Sequence, residues 1–201
     1  MYKNGKGFKE KTMIEKLPDG HIIKTMVKEH DHILALLDEL TDIAHQLSTK
    51  DQKIGETLMQ RVNYLTVKII GAEPHHQREE EVLFPNLEEN GITCMTQCMR
   101  MEHEVMRKMK HDLKQKTKNT DGVWSEKVMD ISKLIDSLCS TLRQHIHKEN
   151  TVLYPMALKV ITDQAKWVDM KLQCDRIGYC CFCPEEVLEH QKKFTSERIS
   201  A

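Results

Sequence analysis

HIHKENTVLYP, at residues 145–155, repeats a phrase that the chain already carries as HHQREEEVLFP at residues 75–85. In each copy a His is followed four residues later by a Glu, and then by Val, Leu, an aromatic residue and Pro. An acidic residue and a His precede each copy, at 29–30 and 102–103. This duplication predicts a tandem of two helical hairpins, in which each hairpin supplies one His from its first helix and a His-x-x-x-Glu pair from its second.

The composition favours long helices and excludes several classes of partner. Charged residues make up 30% of the 201 residues and aromatic residues 5%, with only 8 Gly and 5 Pro. The 30 basic and 31 acidic residues give a net charge of -1, so no overall field attracts nucleic acid or an anionic membrane. The sequence contains no apolar run of about 18 residues and no hydrophobic signal segment at its start. We therefore expect a cytoplasmic protein without nucleic-acid or membrane partners, whose oligomeric state is open.

The chain contains seven Cys, an odd number that rules out complete internal disulfide pairing. A protein of this size without an export signal does not require disulfides, so we expect reduced thiols or metal ligands. Four of the seven crowd into the C-terminal tail: Cys174, Cys180, Cys181 and Cys183. These four could form a second metal or redox site or a buried thiol cluster that packs the tail.

Apolar residues recur with helical spacing in four long segments. The segments run over about 21–48, over 52–89, from between 93 and 99 to the TKNTDG stretch at 117–122, and over 124–160. We expect the second to bend near Gly71 and Pro74, because an internal Pro removes a backbone hydrogen bond. In the fourth, the apolar stripe is the most regular, and it is expected to continue past Glu149 through Val152 and Met156.

Four such segments joined by short loops predict an all-α protein, an up-down-up-down four-helix bundle with a short fifth helix and a Cys-rich C-terminal tail. Thr162 is a candidate N-cap for the fifth helix, which would extend to Leu172. We expect a flexible N-terminal lead over 1–16, the bundle over 17–160, and a C-terminal helix and tail over 161–201 that pack on the bundle.

Six side chains at the duplicated positions form a candidate metal-ligand set: His30, His75, Glu79, His103, His145 and Glu149. Residues four apart lie one turn above each other on a helix, so each His-x-x-x-Glu pair can direct both groups toward one point. A Glu on an apolar stripe carries a large desolvation cost, which a bound metal removes. The repetition of the whole phrase argues against a chance arrangement of surface His residues.

Two alternative pairings remain open from the sequence. His76 could replace His75 as a ligand and use Glu80 as its carboxylate partner, although the alignment of the two copies on their prolines favours His75. A ferritin-like centre would instead use Glu-x-x-His pairs, and such pairs occur at 29–32 and 73–76.

Imidazole and carboxylate ligands without thiolates, in a number too large for one tetrahedral site, predict two six-coordinate non-haem iron ions, or manganese. If both Glu side chains bridge the ions, coordination positions remain for an oxo, hydroxo, water or diatomic ligand. The predicted function is to bind, sense or react with a small oxidant such as O2, NO or peroxide. The alternative is an iron donor for damaged iron-sulfur clusters or a redox-signalling module that acts with a redox partner protein.

Several stretches carry a family resemblance: LPDGH at 17–21, EEEVLFPNLEENGI at 79–92, EHEVMR at 102–107, HKENTVLYPMAL at 147–158 and DRIGYC at 175–180. With these motifs the chain resembles the hemerythrin-like (HHE cation-binding) domains over about residues 17–183. Within that family it looks most like a subgroup of unknown function that is sometimes fused to a PAS sensor module. The resemblance implies a di-iron centre inside a four-helix bundle, with the six residues above as ligands.

The ligand pattern is also similar to that of the di-iron proteins linked to iron-sulfur cluster repair under nitric oxide stress, which likewise use four His and two bridging Glu. It departs from the oxygen-carrying hemerythrins, which supply a fifth His four residues after the His of the third helix. Arg107 stands at that position here. Their last carboxylate also follows its His by five residues rather than four, so the resemblance does not favour reversible oxygen storage.

Overall fold

The computed structural model of the protein describes residues 13–119 and 122–180, and within them every regular element is helical. The first and third long helices are α1 (Ile22–Leu47) and α5 (Thr93–Lys118). The second long segment is α2 (Gln52–Ile70), followed by α3 (Glu73–Arg78), a π-helical segment π1 (Glu79–Leu83) and α4 (Phe84–Glu89). The fourth comprises α6 (Trp124–Lys148), a second π-helical segment π2 (Glu149–Leu153) and α7 (Tyr154–Val160), and α8 (Gln164–Ile177) follows.

These elements form a four-helix bundle, as the sequence predicts. We call the four long segments rods, numbered in chain order: α1, then α2 to α4, then α5, then α6 with α7. α1 packs against α2 and α6, and α5 packs against the same two helices, so each rod contacts two neighbours. The expected bend in the second rod is confirmed, because α2 ends at Ile70 and Pro74 lies in the first turn of α3, where its missing N–H is not needed.

Side-chain caps set the starts of three helices. The Asp51 carboxylate accepts a hydrogen bond from the Ile54 N–H at 3.1 Å, and the His21 ring accepts one from Ile23 at 3.2 Å. At the start of α8 the cap is Asp163, which accepts from the Ala165 N–H at 2.8 Å. The prediction of Thr162 as the cap is therefore wrong by one residue, and α8 extends beyond Leu172 to Ile177.

Both π-helical segments begin at a Glu of the duplicated phrase. The Phe84 N–H donates to the Glu79 carbonyl and the Tyr154 N–H donates to the Glu149 carbonyl, five residues back instead of four. Each such turn holds one extra residue and rotates everything after it by about 100°.

This rotation corrects the predicted stripe of the fourth rod. Val152 is exposed and Met156 is partly exposed, whereas Leu153 and Ala157 are completely buried. The extra residue in π2 shifts the buried positions by one residue along the chain. A stripe that assumes constant spacings of three and four residues therefore predicts the wrong positions after Glu149.

The apolar core consists of two clusters with a polar layer between them. The upper cluster includes Leu37, Val62, Met106 and Ile135, and the lower cluster includes Met26, Phe84, Met99 and Leu153. On every rod, the predicted metal ligands lie in sequence between residues of the upper cluster and residues of the lower one. The bundle therefore places these six side chains at one level.

α8 covers one side of this layer. It contacts α1, α3 and π1, and it buries Trp167, Met170 and Cys174 against the bundle. The predicted thiol cluster is described only for Cys174 and Cys180, both of which are buried, since Cys181 and Cys183 lie outside the described residues. Among the described helices, none is both long and apolar enough to cross a membrane.

Candidate metal centre

The six predicted ligand side chains converge in the layer between the two apolar clusters. Each is at most 1% exposed, although all six are polar. The candidates are His30 on α1, His75 on α3, Glu79 at the start of π1, His103 on α5, His145 on α6 and Glu149 at the start of π2. Groups that can hold a metal ion are formed by His30, His75 and Glu149, and by Glu79, His103, His145 and Glu149.

The four imidazoles form two close pairs. The Nε2 atoms of His30 and His75 are 3.0 Å apart, and those of His103 and His145 are 2.9 Å apart. Two nitrogens bound side by side to one ion at about 2.1 Å, at a right angle, are about 3 Å from each other. The observed spacing therefore suits one metal ion per pair.

The other ring nitrogen of each His is held by an oxygen acceptor. Nδ1 lies 2.8 Å from Glu29 in His75, 2.6 Å from Glu80 in His103, 2.7 Å from Glu102 in His145, and 2.8 Å from the Asn150 amide oxygen in His30. Because an ionised carboxylate only accepts hydrogen bonds, Nδ1 carries a proton; a ring that holds this one proton presents the lone pair of Nε2 to the centre.

Paired lone pairs at this distance need a positive charge between them, which a proton or a metal ion can supply. Burial lowers the pKa of His75 to about 4, so His75 does not supply that proton near neutral pH. A metal cation between the two rings would supply the charge that His75 does not.

The two Glu side chains join the His pairs. Glu149 places Oε2 at 3.2 Å from Nε2 of His30 and Oε1 at 2.8 Å from Nε2 of His145. Oε2 of Glu79 lies 3.7 Å from Nε2 of His75 and 3.5 Å from Nε2 of His103. Each carboxylate thus faces both pairs, which is the orientation that a bridging ligand requires.

Three carboxylate oxygens at the centre have no hydrogen-bond donor: Oε2 of Glu79 and both oxygens of Glu149. Burial, with repulsion from Glu149, raises the pKa of Glu79 well above its usual value. For Glu149, burial acts in the same direction, but attraction to His145 and the close imidazoles of His103 and His30 outweigh it and lower the pKa of Glu149 well below its usual value. Without a metal, Glu79 therefore keeps a proton, and a bound cation would replace it and satisfy the orphaned oxygens.

The alternative ligands take other positions. Glu80 accepts from His103 and is not a carboxylate partner of His76. His76 is buried and stacks on His103 with ring centroids 4.0 Å apart, so it borders the centre beside the His103 pair. His32 is exposed, which leaves the ferritin-like pair at 29–32 without convergent side chains.

The residues that orient the imidazoles were not predicted from the sequence, although they lie at duplicated positions. Glu29 and Glu102 precede His30 and His103, but each accepts from the His of the following rod, His75 or His145. Glu80 and Asn150 directly follow Glu79 and Glu149. Glu80 accepts from His103 on the third rod, and Asn150 accepts from His30 on the first. The acidic-His dipeptides were visible in the sequence, but their partners depend on how the rods pack.

Arg78 was also missed, and it lies completely buried behind Glu29. Its Nη2 donates to both carboxylate oxygens, at 2.7 and 2.6 Å, and its guanidinium lies 4.5 Å from the centre of the Tyr179 ring. Burial raises the pKa of Glu29, but the His75 hydrogen bond and the Arg78 charge outweigh it and lower the pKa to about 2. Glu29 therefore stays ionised and fixes the orientation of His75.

Tyr154 supplies a hydroxyl at the centre, where the first copy of the phrase has Phe84. The Tyr154 hydroxyl donates to Oε1 of Glu79 at 2.7 Å, and its ring stacks on His30 at 5.6 Å. Phe84 stacks on His103 at 5.8 Å in the equivalent position. Burial and the nearby Glu79 raise the pKa of Tyr154 well above its usual value, so the phenol remains a donor.

Tyr154→Phe is expected to lower the free energy of unfolding of the metal-free protein by about 1–3 kcal/mol, because it leaves Oε1 of Glu79 buried without a donor. Urea denaturation followed by circular dichroism measures this change. Tyr64→Phe is the matched control, since Tyr64 is 49% exposed and its hydroxyl should contribute less than about 0.5 kcal/mol. Equal stability of the Tyr154 variant and the unsubstituted protein would show that the hydroxyl does not hold Glu79.

Comparison with known proteins agrees with this geometry. The model of the hemerythrin HHE cation-binding domain matches residues 21–157, a range that includes all six candidate ligands. No curated protein matches the chain significantly. The family is defined by cation binding, and the described residues contain buried His and Glu groups able to hold a metal ion. The chain therefore belongs to the hemerythrin HHE cation-binding domain family.

Proposed function

We propose that this protein holds two non-haem iron ions and that it binds, senses or reacts with a small oxidant, namely O2, NO or peroxide. The observation that carries the proposal is the pairing of four imidazole Nε2 atoms at 3.0 and 2.9 Å, with both shared carboxylates facing both pairs. His30 and His75 would hold one ion and His103 and His145 the other. Glu79 and Glu149 would bridge them.

The donor set supports iron as the metal. Four imidazoles and two carboxylates without thiolates suit iron or manganese better than a structural zinc site, which is closed by four ligands. When bound, a pair of iron ions supplies one-electron redox chemistry and open coordination positions for a small molecule.

The surrounding residues orient the ligands, restrict access and hold a proton. Glu29, Glu80, Glu102 and Asn150 fix the imidazole rings. The near-complete burial of all six candidate ligands restricts the reactant to a small molecule and excludes bulk water. Tyr154 keeps its proton on the hydroxyl that donates to Oε1 of Glu79, so this hydrogen bond orients the carboxylate.

Anaerobic loading with ferrous iron tests the proposal. We expect uptake of two ions per chain by metal analysis, followed by rapid development of visible absorption on mixing with O2, NO or peroxide in a stopped-flow instrument. The reagent that reacts fastest identifies the class of oxidant. Protein that takes up no iron would contradict the proposal. Loaded protein that does not react but rapidly passes its iron to a chelator or an apo-ferredoxin would favour the iron-donor alternative.

A further inference from the structure

The two halves of the centre repeat one hydrogen-bond pattern with a single change of chemistry. In three of the four imidazoles, Nδ1 donates to a carboxylate. For His30 the acceptor is the Asn150 amide oxygen, at 2.8 Å. Asn150 follows Glu149 as Glu80 follows Glu79, so an amide occupies the position that holds a carboxylate in the other half. One His pair is therefore supported by two carboxylates and the other by one.

The cations that pair with these carboxylates also differ between the two His pairs. Behind His75, Glu29 is neutralised by Arg78, whose side chain is completely buried and therefore little screened by water. Behind the other pair, Glu80 meets Arg107 at 2.9 Å and Glu102 meets Lys148. These two cations are 24% and 37% exposed, so solvent screens their charge. The two carboxylates that accept from the His103 pair are thus less completely neutralised by their Arg107 and Lys148 partners than Glu29 is by Arg78.

Tyr154 adds to this difference. Its hydroxyl donates to Glu79 from the His30 side and lies 3.4 Å from Nε2 of His75. Phe84 has no such group on the His103 side. Two of the differences between the copies of the phrase, Asn150 and Tyr154, therefore affect the same half of the centre.

We propose that the two metal positions are unequal: the His103 and His145 position binds its ion tightly, the His30 and His75 position binds weakly and exchanges, and Asn150 sets the difference. This inference rests on the proposed two-metal centre. A carboxylate that accepts from Nδ1 makes the imidazole a more basic ligand, and loss of such a partner typically weakens metal binding by about 10–100-fold. Asn150 is a positioning residue, because it acts through His30.

Anaerobic titration of metal-free protein with ferrous iron, in competition with a chelator of known affinity, measures both positions. For the unsubstituted protein we expect two binding steps whose dissociation constants differ by about 10–100-fold. Asn150→Asp replaces the amide by a carboxylate of the same size and should tighten the weaker step until the two steps merge. Glu80→Gln should weaken the tighter step and leave the other unchanged.

Thr151→Asp is the matched control for added charge. Thr151 is exposed and adjacent to Asn150, and its hydroxyl donates to the His147 carbonyl rather than to a candidate ligand. This variant should leave both steps within about twofold of the unsubstituted protein, because an exposed charge is screened. A tightening equal to that of Asn150→Asp would assign the effect to net charge and overturn the role of Asn150.

The outcomes separate this inference from the proposed function. Two equal steps in the unsubstituted protein, or two steps that Asn150→Asp does not bring together, overturn the inequality alone. Uptake of one ion or none by the unsubstituted protein overturns the two-metal centre and the inference with it. Circular dichroism of each metal-free variant checks that the helices are retained. In the double variant Glu80→Gln with Asn150→Asp, the His30 and His75 position should fill before the His103 and His145 position.

Discussion

Glu149→Ala is expected to lower bound iron from two ions per chain to one or none. The two oxygens of Glu149 face different His pairs, at 3.2 Å from His30 and 2.8 Å from His145, so this one side chain would contribute a ligand to each ion. Its removal takes away a negative charge and a donor atom from both positions in an environment without water to replace them. Metal analysis after anaerobic loading and desalting gives the occupancy.

Glu81→Ala is the control for this substitution. Glu81 lies in the first π-helical segment, two residues after Glu79, but its side chain is exposed and accepts only from Gln77 among the contacts described. The Glu81 variant should keep two ions. Full occupancy after Glu149→Ala would contradict the bridging role, and equal losses in both variants would show that the helix, rather than the ligand, had been damaged.

Arg78→Met is expected to destabilise the metal-free protein by about 3–5 kcal/mol, because it leaves the ionised Glu29 carboxylate buried with only the His75 ring and the Cys180 thiol beside it among the described residues. A buried ion pair contributes little compared with an apolar pair, but removal of one member leaves an uncompensated charge. Glu29 cannot reach water, since its side chain is completely buried. Urea denaturation of metal-free protein measures the change without the contribution of a bound ligand.

The chain offers a matched exposed pair as the control. Arg61 donates to both oxygens of Glu39, at 2.6 and 2.9 Å, with the two side chains 47% and 40% exposed. Arg61→Met should therefore cost less than about 1 kcal/mol. The double variant Arg78→Met with Glu29→Gln should recover part of the lost stability, since it removes the unpaired charge. A loss below about 1 kcal/mol for Arg78→Met alone would mean that Glu29 finds another partner.

The sequence predicts the four rods because the signal for each is local. Apolar residues three and four apart must share a face, and Pro74 must interrupt the second rod, whatever the rest of the chain does. The six candidate ligands could be selected because the phrase occurs twice, which separates His75 from His76 and Glu79 from Glu80. The structure brings these six side chains together in one layer, and their metal-binding role stays a prediction.

The remaining features depend on packing between rods or on small backbone changes. Glu29 lies next to His30 on α1, but its hydrogen-bond partner is His75 on the second rod. The sequence around Glu29 does not specify that partner. Because of the π-helical turn, Leu153 is buried and Val152 is exposed. The apolar residues before and after this turn keep ordinary helical spacing, so their pattern does not reveal the extra residue. The choice between Thr162 and Asp163 as a cap depends on one residue of register.

The division of the core into two clusters has a consequence for folding cooperativity. Between the two clusters the interior of the bundle is polar and lined by the candidate ligands, so an occupied centre would add bonds between the four rods at the level where apolar packing is interrupted. The chain has two Trp: Trp124 packs against the upper cluster and Trp167 belongs to the lower one. Each cluster thus carries its own intrinsic fluorophore, and a variant that keeps only one of the two Trp reports on loosening around that cluster.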